Sequence, residues 1–249
     1  MAREQTKAAT FPVDRNDVEL VRGAHPPHWK NPTPDGPYNL VVIGAGPAGL
    51  TAARDAASLG AKVALIERGL IGGACVNVGG IPSKSIIRTA RLYADMRDAE
   101  NFGGDTPARL PVDFERVMMR MRQIRQRLSR ADSAAAITAE GIDLYFGEAQ
   151  FGGPDTVEVA GKTLHFKKAL VATGADHSGP AIPGIAEAGY RVNESMFNLT
   201  QRPERLLVIG GGPIGCETAQ AFCLLGAKVI LAQNDPMFLP GEERDAAQI

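Results

Sequence analysis

Cysteine is scarce in this chain of 249 residues, which has only Cys75, Cys216 and Cys223. Three scattered thiols cannot build the disulfide framework of a small secreted domain. They suit a reducing compartment, so a cytoplasmic location is expected. An excess of charge of either sign is lacking as well. The formal net charge is −1, so no global field draws the chain to nucleic acid or to an anionic membrane surface. No apolar run is long enough to span a bilayer, and Met1 to Thr10 lack the apolar core of a secretory signal. Neither a nucleic-acid partner nor a membrane is expected. Glycine, by contrast, is plentiful and gathered in runs.

Residues 1–37 are polar and rich in proline, with Pro26, Pro27, Pro32, Pro34 and Pro37. They read as an extension without regular structure, because proline defeats helix and central strand alike. His25 and His28 flank two of these prolines, too few imidazoles for a zinc site. Leu40 to Ile43 reads as a buried strand, Pro47 to Leu59 as an alanine-rich helix, and Lys62 to Ile66 as a second strand closed by Glu67. Ser83 to Ala99 is expected to be helical. Phe114, Val117, Met118, Met121, Ile124 and Leu128 recur at helical spacing, so Asp113 to Arg130 is expected to be an amphipathic helix. Its arginines read as a solvated face. Asp143 to Phe146, Thr156 to Val159, Thr163 to Phe166 and Ala169 to Ala172 read as strands, the middle pair forming a hairpin at Gly161 and Lys162.

The strongest feature is an internal repeat. Residues 40–67 laid over residues 206–233 agree at 14 of 28 positions without a gap. Each copy carries G-x-G-x-x-G, as Gly44, Gly46 and Gly49 and again as Gly210, Gly212 and Gly215. Each pattern follows an apolar strand, opens a helix and returns to a second strand, the context that a dinucleotide site requires. The first glycine allows the tight turn, the second lets backbone approach a pyrophosphate, and the third lets helix pack on strand. The helix N-terminus offers free N–H groups and partial positive charge to the phosphates. The expected fold is therefore α/β: two Rossmann-like, doubly wound, three-layer nucleotide-binding domains, the second incomplete. Glu67 is placed to accept hydrogen bonds from ribose hydroxyls. Its counterpart is Gln233, which does not repel a 2′-phosphate, so NAD and NADP are both open.

The run from Gly72 to Lys84, GGACVNVGGIPSK, resembles the redox motif of the pyridine nucleotide–disulfide oxidoreductases. Its mercuric reductase and dihydrolipoamide dehydrogenase-like members are the nearest in pattern. Gly147-Glu148-Ala149 is similar to that family's adenine-side strand. Val171-Ala172-Thr173-Gly174-Ala175, followed by Ile182-Pro183-Gly184, is similar to the segment where the chain leaves the FAD domain. The resemblance implies an N-terminal extension over 1–37, the first part of an FAD-binding domain over 38–180 and the start of an NAD(P)-binding domain over 181–249. It implies FAD contacts from Gly44, Gly46, Pro47, Ala48, Gly49, Glu67, Arg68, Gly73, Ala74, Lys84, Ala149, Ala172, Thr173 and Gly174. The nicotinamide cofactor would contact Gly210, Gly212, Pro213, Ile214, Gly215, Glu217 and Gln233. Hydride would pass from NAD(P)H to flavin, and electrons then to a small-molecule or metal-ion acceptor. Cys75, Lys84 and Glu217 would be the catalytic groups. Lys84 would stabilise the anionic reduced flavin and Glu217 would pair with it.

Two departures limit that expectation. The family motif has cysteines spaced C-x₄-C, but here the second position is Gly80. Cys75 is left to act as a single thiol or to be inert, with disulfide reduction impaired. Cys216 and Cys223 align with Leu50 and Ala57 of the first copy and read as small core residues. The family also continues beyond the first NAD(P) unit to a dimerisation domain, whereas 44 residues remain from Leu206. The expectation is a fragment, a truncated product or half of a split assembly, with apolar strand edges exposed. The homodimer of the full-length family would lack its interface. The alternative is a non-catalytic FAD- or NAD-binding module or an inactive fragment.

Overall fold

The structure is a computed structural model that describes residues 14–106, 110–175 and 179–248. Met1 to Thr10, read above as lacking a signal core, lie outside the described residues. The chain forms two compact units. One comprises the residues up to Ile81 together with Arg122–Asn198; the other comprises Pro82–Met121 together with Leu199 onward.

In the first unit, β1 (Tyr38–Ile43), α2 (Pro47–Ser58), following the N-terminal α1 (Arg15–Ala24), and β2 (Val63–Glu67) form a parallel βαβ unit. The short α3 (Gly73–Asn77) follows, then α4 (Gly80–Arg97) and α5 (Phe114–Ser129), which each contribute residues to both units. After α6 (Ala134–Ala139) come β3 (Asp143–Phe146), β4 (Ala149–Gly153), β5 (Thr156–Val159), β6 (Lys162–Val171) and α7 (Asn193–Met196). The six strands form one sheet in the order β3-β2-β1-β6-β5-β4. β3, β2, β1 and β6 run parallel, and β6, β5 and β4 form an antiparallel meander. The two strands expected over 163–172 are the single strand β6. Nothing between them breaks an extended path, since the intervening Lys167 and Lys168 can turn to solvent. The β5–β6 hairpin turns at Ala160 (φ 48°) and Gly161 (φ 74°), both left-handed, as a two-residue hairpin requires.

Alternation along the strands divides the core between two faces. Val42, Leu65 and Leu144 pack with Leu50 and Ala53 of α2, Leu20 of α1 and Ile137 of α6. Tyr38, Val41, Ala64, Ile66 and Tyr145 pack with Val157, Val159 and Leu164 of the meander. There the Tyr38 hydroxyl donates to Asp143 Oδ2 at 2.7 Å and lies 2.8 Å from the Tyr145 hydroxyl. Burial, with these neighbours, pushes the Tyr38 phenol well above its ordinary range.

Helix α1 corrects the reading of residues 1–37 as lacking regular structure. The prolines in question begin at Pro26, past the helix end, so they stop α1 rather than prevent it. Asp14 caps it, its carboxylate accepting from the Asn16 and Asp17 N–H groups at 2.9 and 3.1 Å. The solvated arginine face of α5 also needs correction. Arg122 and Arg125 are 3% and 0% exposed, because they pair with Asp14 and Asp17 of α1. Leu128, expected on the apolar face, is exposed.

Burial pushes the Asp14 carboxyl up, but Arg122, the Asp17 N–H and Asn16 together outweigh it and hold the group below its ordinary value of 3.8. A depressed folded-state value means that Asp14 contributes stability above pH 3.8, lost as pH falls through the lower folded value. Asp14→Ala should therefore destabilise the fold by about 2 kcal/mol at neutral pH, from the lost cap and the stranded Arg122. The gap to wild type should close as pH falls below 3.8. Urea unfolding of both proteins across that range checks this.

In the second unit, β7 (Arg205–Ile209), α8 (Pro213–Leu224) and β8 (Lys228–Ala232) form another parallel βαβ unit, followed by α9 (Arg244–Ala247). Helix α8 matches α2 at both ends under the offset of 166. The strand register Leu206↔Val229 repeats Leu40↔Val63. Leu207, Ile209 and Ile230 of this two-stranded sheet are exposed. Among the described residues no helix is long and apolar enough to cross a membrane.

Candidate functional site

Strand β1 ends where Gly44 turns the chain at φ 104°, and its N–H donates to Ile66 O at 2.8 Å. A side chain on Gly44 would overlap the Ala172 carbonyl, and one on Gly49 would overlap the Gly44 carbonyl. Gly46 is the extended N-cap of α2 and Pro47 opens the helix, where its missing N–H costs nothing. The first-turn amides that follow, including those of Ala48 and Gly49, have no acceptor within the helix. With the helix dipole they form a natural seat for a diphosphate. The loop before α3 closes on the same turn. Gly72 donates to Ala45 O at 2.8 Å, and a Cβ on Gly73 would come within 2.8 Å of Gly46 Cα.

Beside this turn lies a cavity of about 450 Å³, walled by Ile43, Gly44, Ile66, Glu67, Arg68, Gly147, Glu148, Ala149, Thr173 and Gly174. It sits at the carboxyl ends of β1, β2, β3 and β6, where open α/β sheets bind ligands. Its polar walls and the bare glycine turn fit the adenosine diphosphate part of a dinucleotide. A larger, more open hollow of about 710 Å³, lined by Thr33, Asp155, Lys162 and His165 among others, includes neither glycine turn.

Glu67 organises the cavity wall. Its Oε2 accepts the Ala45 N–H at 2.8 Å and its Oε1 the Gly69 N–H at 2.7 Å. A carboxylate has about four acceptor positions, so capacity remains for ribose hydroxyls. Glu67→Leu strands the N–H of Ala45, a fully buried residue, and should weaken binding of a dinucleotide at this cavity, with FAD as the probe, about tenfold or more. Glu67→Gln, which keeps an acceptor, should lose less. Flavin fluorescence titration of the two variants separates these outcomes.

The second turn repeats the first. Gly210 has φ 113°, its N–H donates to Ala232 O at 2.8 Å, and Gly212 (φ −76°, ψ 178°) matches Gly46 (φ −78°, ψ −179°). Gly215 lies against the Gly210 carbonyl as Gly49 lies against Gly44. Pro213 opens α8 and Ile214 beside it is exposed. Gln233 differs from Glu67 in its bonding: its amide donates to Met237 O, and Leu239 donates to Gly211 O at 2.8 Å. Within this unit Lys84 Nζ donates to both carboxylate oxygens of Glu217 at 2.7 Å. Both side chains are more than a third exposed, so the pair fixes the ammonium's position more than it adds stability.

Cys75 lies exposed in α3, the short helix that Gly73 and Ala74 begin, and it is not a wall of the cavity. A Cβ placed on Gly80 would stand 3.5 Å from Cys75 Sγ. The reading of Cys216 and Cys223 as core residues is corrected. Cys223 is exposed and Cys216 is half-buried with its thiol 3.5 Å from Gly211 O. The first copy's alignment misleads because it carries over positions and not packed layers: Leu50 lies in a cluster with Leu20 and Ile137, whereas on α8 it is Phe222 that is buried, against Phe114. Among the described residues no cluster of three metal-ligating side chains occurs. Ile43 and Ile66 were not singled out from sequence as cavity walls. The available signal was position, because each ends or nearly ends a strand leading to the site.

A family model described as "Pyridine nucleotide-disulphide oxidoreductase" matches residues 38–249. A mercuric reductase of Bacillus cereus is 37% identical over 202 residues, covering 81% of this chain and 32% of that protein. A dihydrolipoyl dehydrogenase of Acholeplasma laidlawii is 31% identical over 212 residues, covering 84% of this chain and 63% of that protein. Among solved structures, the HOCl-induced flavoprotein disulfide reductase RclA from Escherichia coli aligns with a TM-score of 0.72 at 32% identity. That alignment covers 85% of this chain and 45% of RclA. The chain thus spans from about a third to under two thirds of the length of these relatives.

Proposed function

Because the chain belongs to the pyridine nucleotide–disulphide oxidoreductase family, we propose that it is the flavin- and nicotinamide-binding part of an FAD-dependent NAD(P)H oxidoreductase. The observation that carries this reading is the pair of glycine turns, alike in backbone angles and register, each opening a helix after a parallel strand. Bound flavin would take hydride from NAD(P)H and pass electron pairs to an acceptor. The protein's own groups bind and orient. Gly44, Gly46, Pro47, Ala48 and Gly49 seat the FAD diphosphate, and Glu67, Arg68, Ala149, Thr173 and Gly174 enclose its adenosine side. Gly73, Ala74 and Ala172, on the loops beside the turn, contact the FAD as well. Gly210, Gly212, Pro213, Ile214 and Gly215 seat the diphosphate of the nicotinamide cofactor, NAD or NADP, with Gln233 near its ribose. Lys84, held by Glu217, is the cation that, by the family resemblance, would stabilise a reduced flavin.

With Gly80 at the second redox position, the acceptor is met by flavin directly or by Cys75 alone, and disulfide turnover is impaired. The acceptor is a small molecule or a metal ion, and the relatives named mercuric reductase support the metal ion. Cys75 has no sulfur partner among the described residues, which favours a nucleotide-binding module without thiol chemistry as the second reading. Anaerobic titration of the FAD-loaded chain with NADH and NADPH tests the proposal. Bleaching of the visible flavin band supports it. Flavin that stays oxidised with both cofactors supports the module, and failure to bind FAD or either nicotinamide cofactor defeats both.

A further inference from the structure

Ahead of residue 38, where the family match begins, α1 brings a buried polar system onto the loop that carries Cys75. Arg125 and Asp17 form an ion pair whose side chains are both 0% exposed. The other arm of the Arg125 fork, Nη1, donates at 2.8 Å to the main-chain oxygen of Asn77. Asn77 ends α3, two residues beyond Cys75. Its own buried amide donates to Ile71 O at 3.1 Å and to Gly73 O at 2.9 Å, tying the loop to itself. The segment after α1 grips the start of the same loop. The Ile71 N–H donates to Ala24 O at 3.2 Å, and His25 Nδ1 lies 2.7 Å from Gly69 O, its ring stacked on Phe146 at 4.0 Å.

A desolvated ion pair is a poor way to add stability, since apolar side chains of similar volume would serve as well or better. What it adds is direction. A guanidinium with a rigid fork can hold two partners at a set angle, which a lysine cannot. Asp17 aims the fork and Asn77 receives it.

We propose that α1 is a strap for the redox loop, and that Arg125 is a positioning residue for Cys75, oriented by Asp17 and acting through the Asn77 carbonyl. The proposal rests on the reading of Cys75 as the loop's reacting group. It extends that reading by making the geometry of Cys75 depend on a helix outside the family match. A strap that lifts takes Asp17 away from Arg125 of α5, which unaims the donor to Asn77, and removes the acceptor from Ile71 at the same time, so the loop loosens at both ends.

Arg125→Lys tests this, because lysine keeps the charge beside Asp17 and gives up the second arm. Amide hydrogen exchange and alkylation by iodoacetamide are followed on the folded chain. Loss of one charge-assisted bond should speed exchange at Val76 and Val78 by about tenfold or more, with β1 and β2 unchanged. The alkylation rate of Cys75 should change severalfold while that of exposed Cys223 does not. Equal loosening throughout the first unit would mean that the pair only supports the fold, and an unchanged loop would also overturn the proposal. Should Arg125→Lys fail to fold, His25→Phe keeps the stack on Phe146 and removes the bond to Gly69 O. Faster exchange at Ile71 and Gly72 is then expected, and an unchanged loop overturns the strap. Neither readout involves flavin or nicotinamide, so failed cofactor uptake would sink the function proposed above and leave this result standing.

Discussion

Gly80→Cys should form a disulfide with Cys75. Titrated unfolded and without reductant, the air-oxidised variant should show two thiols where wild type shows three. The geometry is nearly in place. A Cβ on Gly80 stands 3.5 Å from Cys75 Sγ, and beyond its own helix and chain neighbours it meets Cys75 O at 4.0 Å. A sulfur bond of about 2.05 Å needs that Cβ to sit roughly 3 Å from the partner sulfur, an adjustment of about half an ångström. Gly80 is the first residue of α4 and does not have positive φ, so cysteine suits its backbone. With FAD bound, NAD(P)H should then reduce the new bond and return the count to four. Four thiols before any reductant is added would show that the two positions do not meet.

Gly49→Ala should remove FAD binding altogether and destabilise the first unit by about 3 kcal/mol, the upper end of an overpacking cost. The new methyl would overlap the Gly44 carbonyl and press on Val42 Cγ1 at 3.2 Å, so helix and strand must part. Gly46→Ala provides the contrast. The nearest atom to its Cβ is Gly73 Cα at 3.9 Å, and its backbone is extended, a conformation open to any residue. Its stability should stay within about 0.5 kcal/mol of wild type, while FAD affinity falls sharply, because the methyl points at space that only a diphosphate would need. Denaturant midpoints and flavin titrations of the two variants separate a glycine required by the fold from one required by the ligand. Equal loss of stability in both would contradict that division.

The first 28-residue copy and its echo made the βαβ units legible in sequence, since turn, helix start and second strand follow from three glycines and an apolar pattern. The offset of 166 is kept by the helix ends of α2 and α8 and by the strand register. Glu67 was also legible as a wall of the site, although not its grip on two backbone amides. Arg122 and Arg125 were not legible. Their partners lie 108 residues away, and hydropathy scores a buried arginine as it scores a wet one. Helix α1 was hidden by its neighbours, because composition averaged over 37 residues let the later prolines speak for a proline-free stretch. Cys223 was misplaced because alignment with the first copy transfers residue positions and not the layers packed on them.

Strand β6 has a consequence for evolution and for engineering. One rod of ten residues pairs with β1 along one edge and with β5 along the other, and it ends just before Thr173 and Gly174. The meander and the mouth of the nucleotide cavity are therefore geared together. A single residue inserted between Leu164 and Val171 would turn every later side chain to the opposite face, carrying Thr173 off the cavity wall. Changes of length can collect at the hairpin tip around Gly161, but the shaft of β6 has to keep its count.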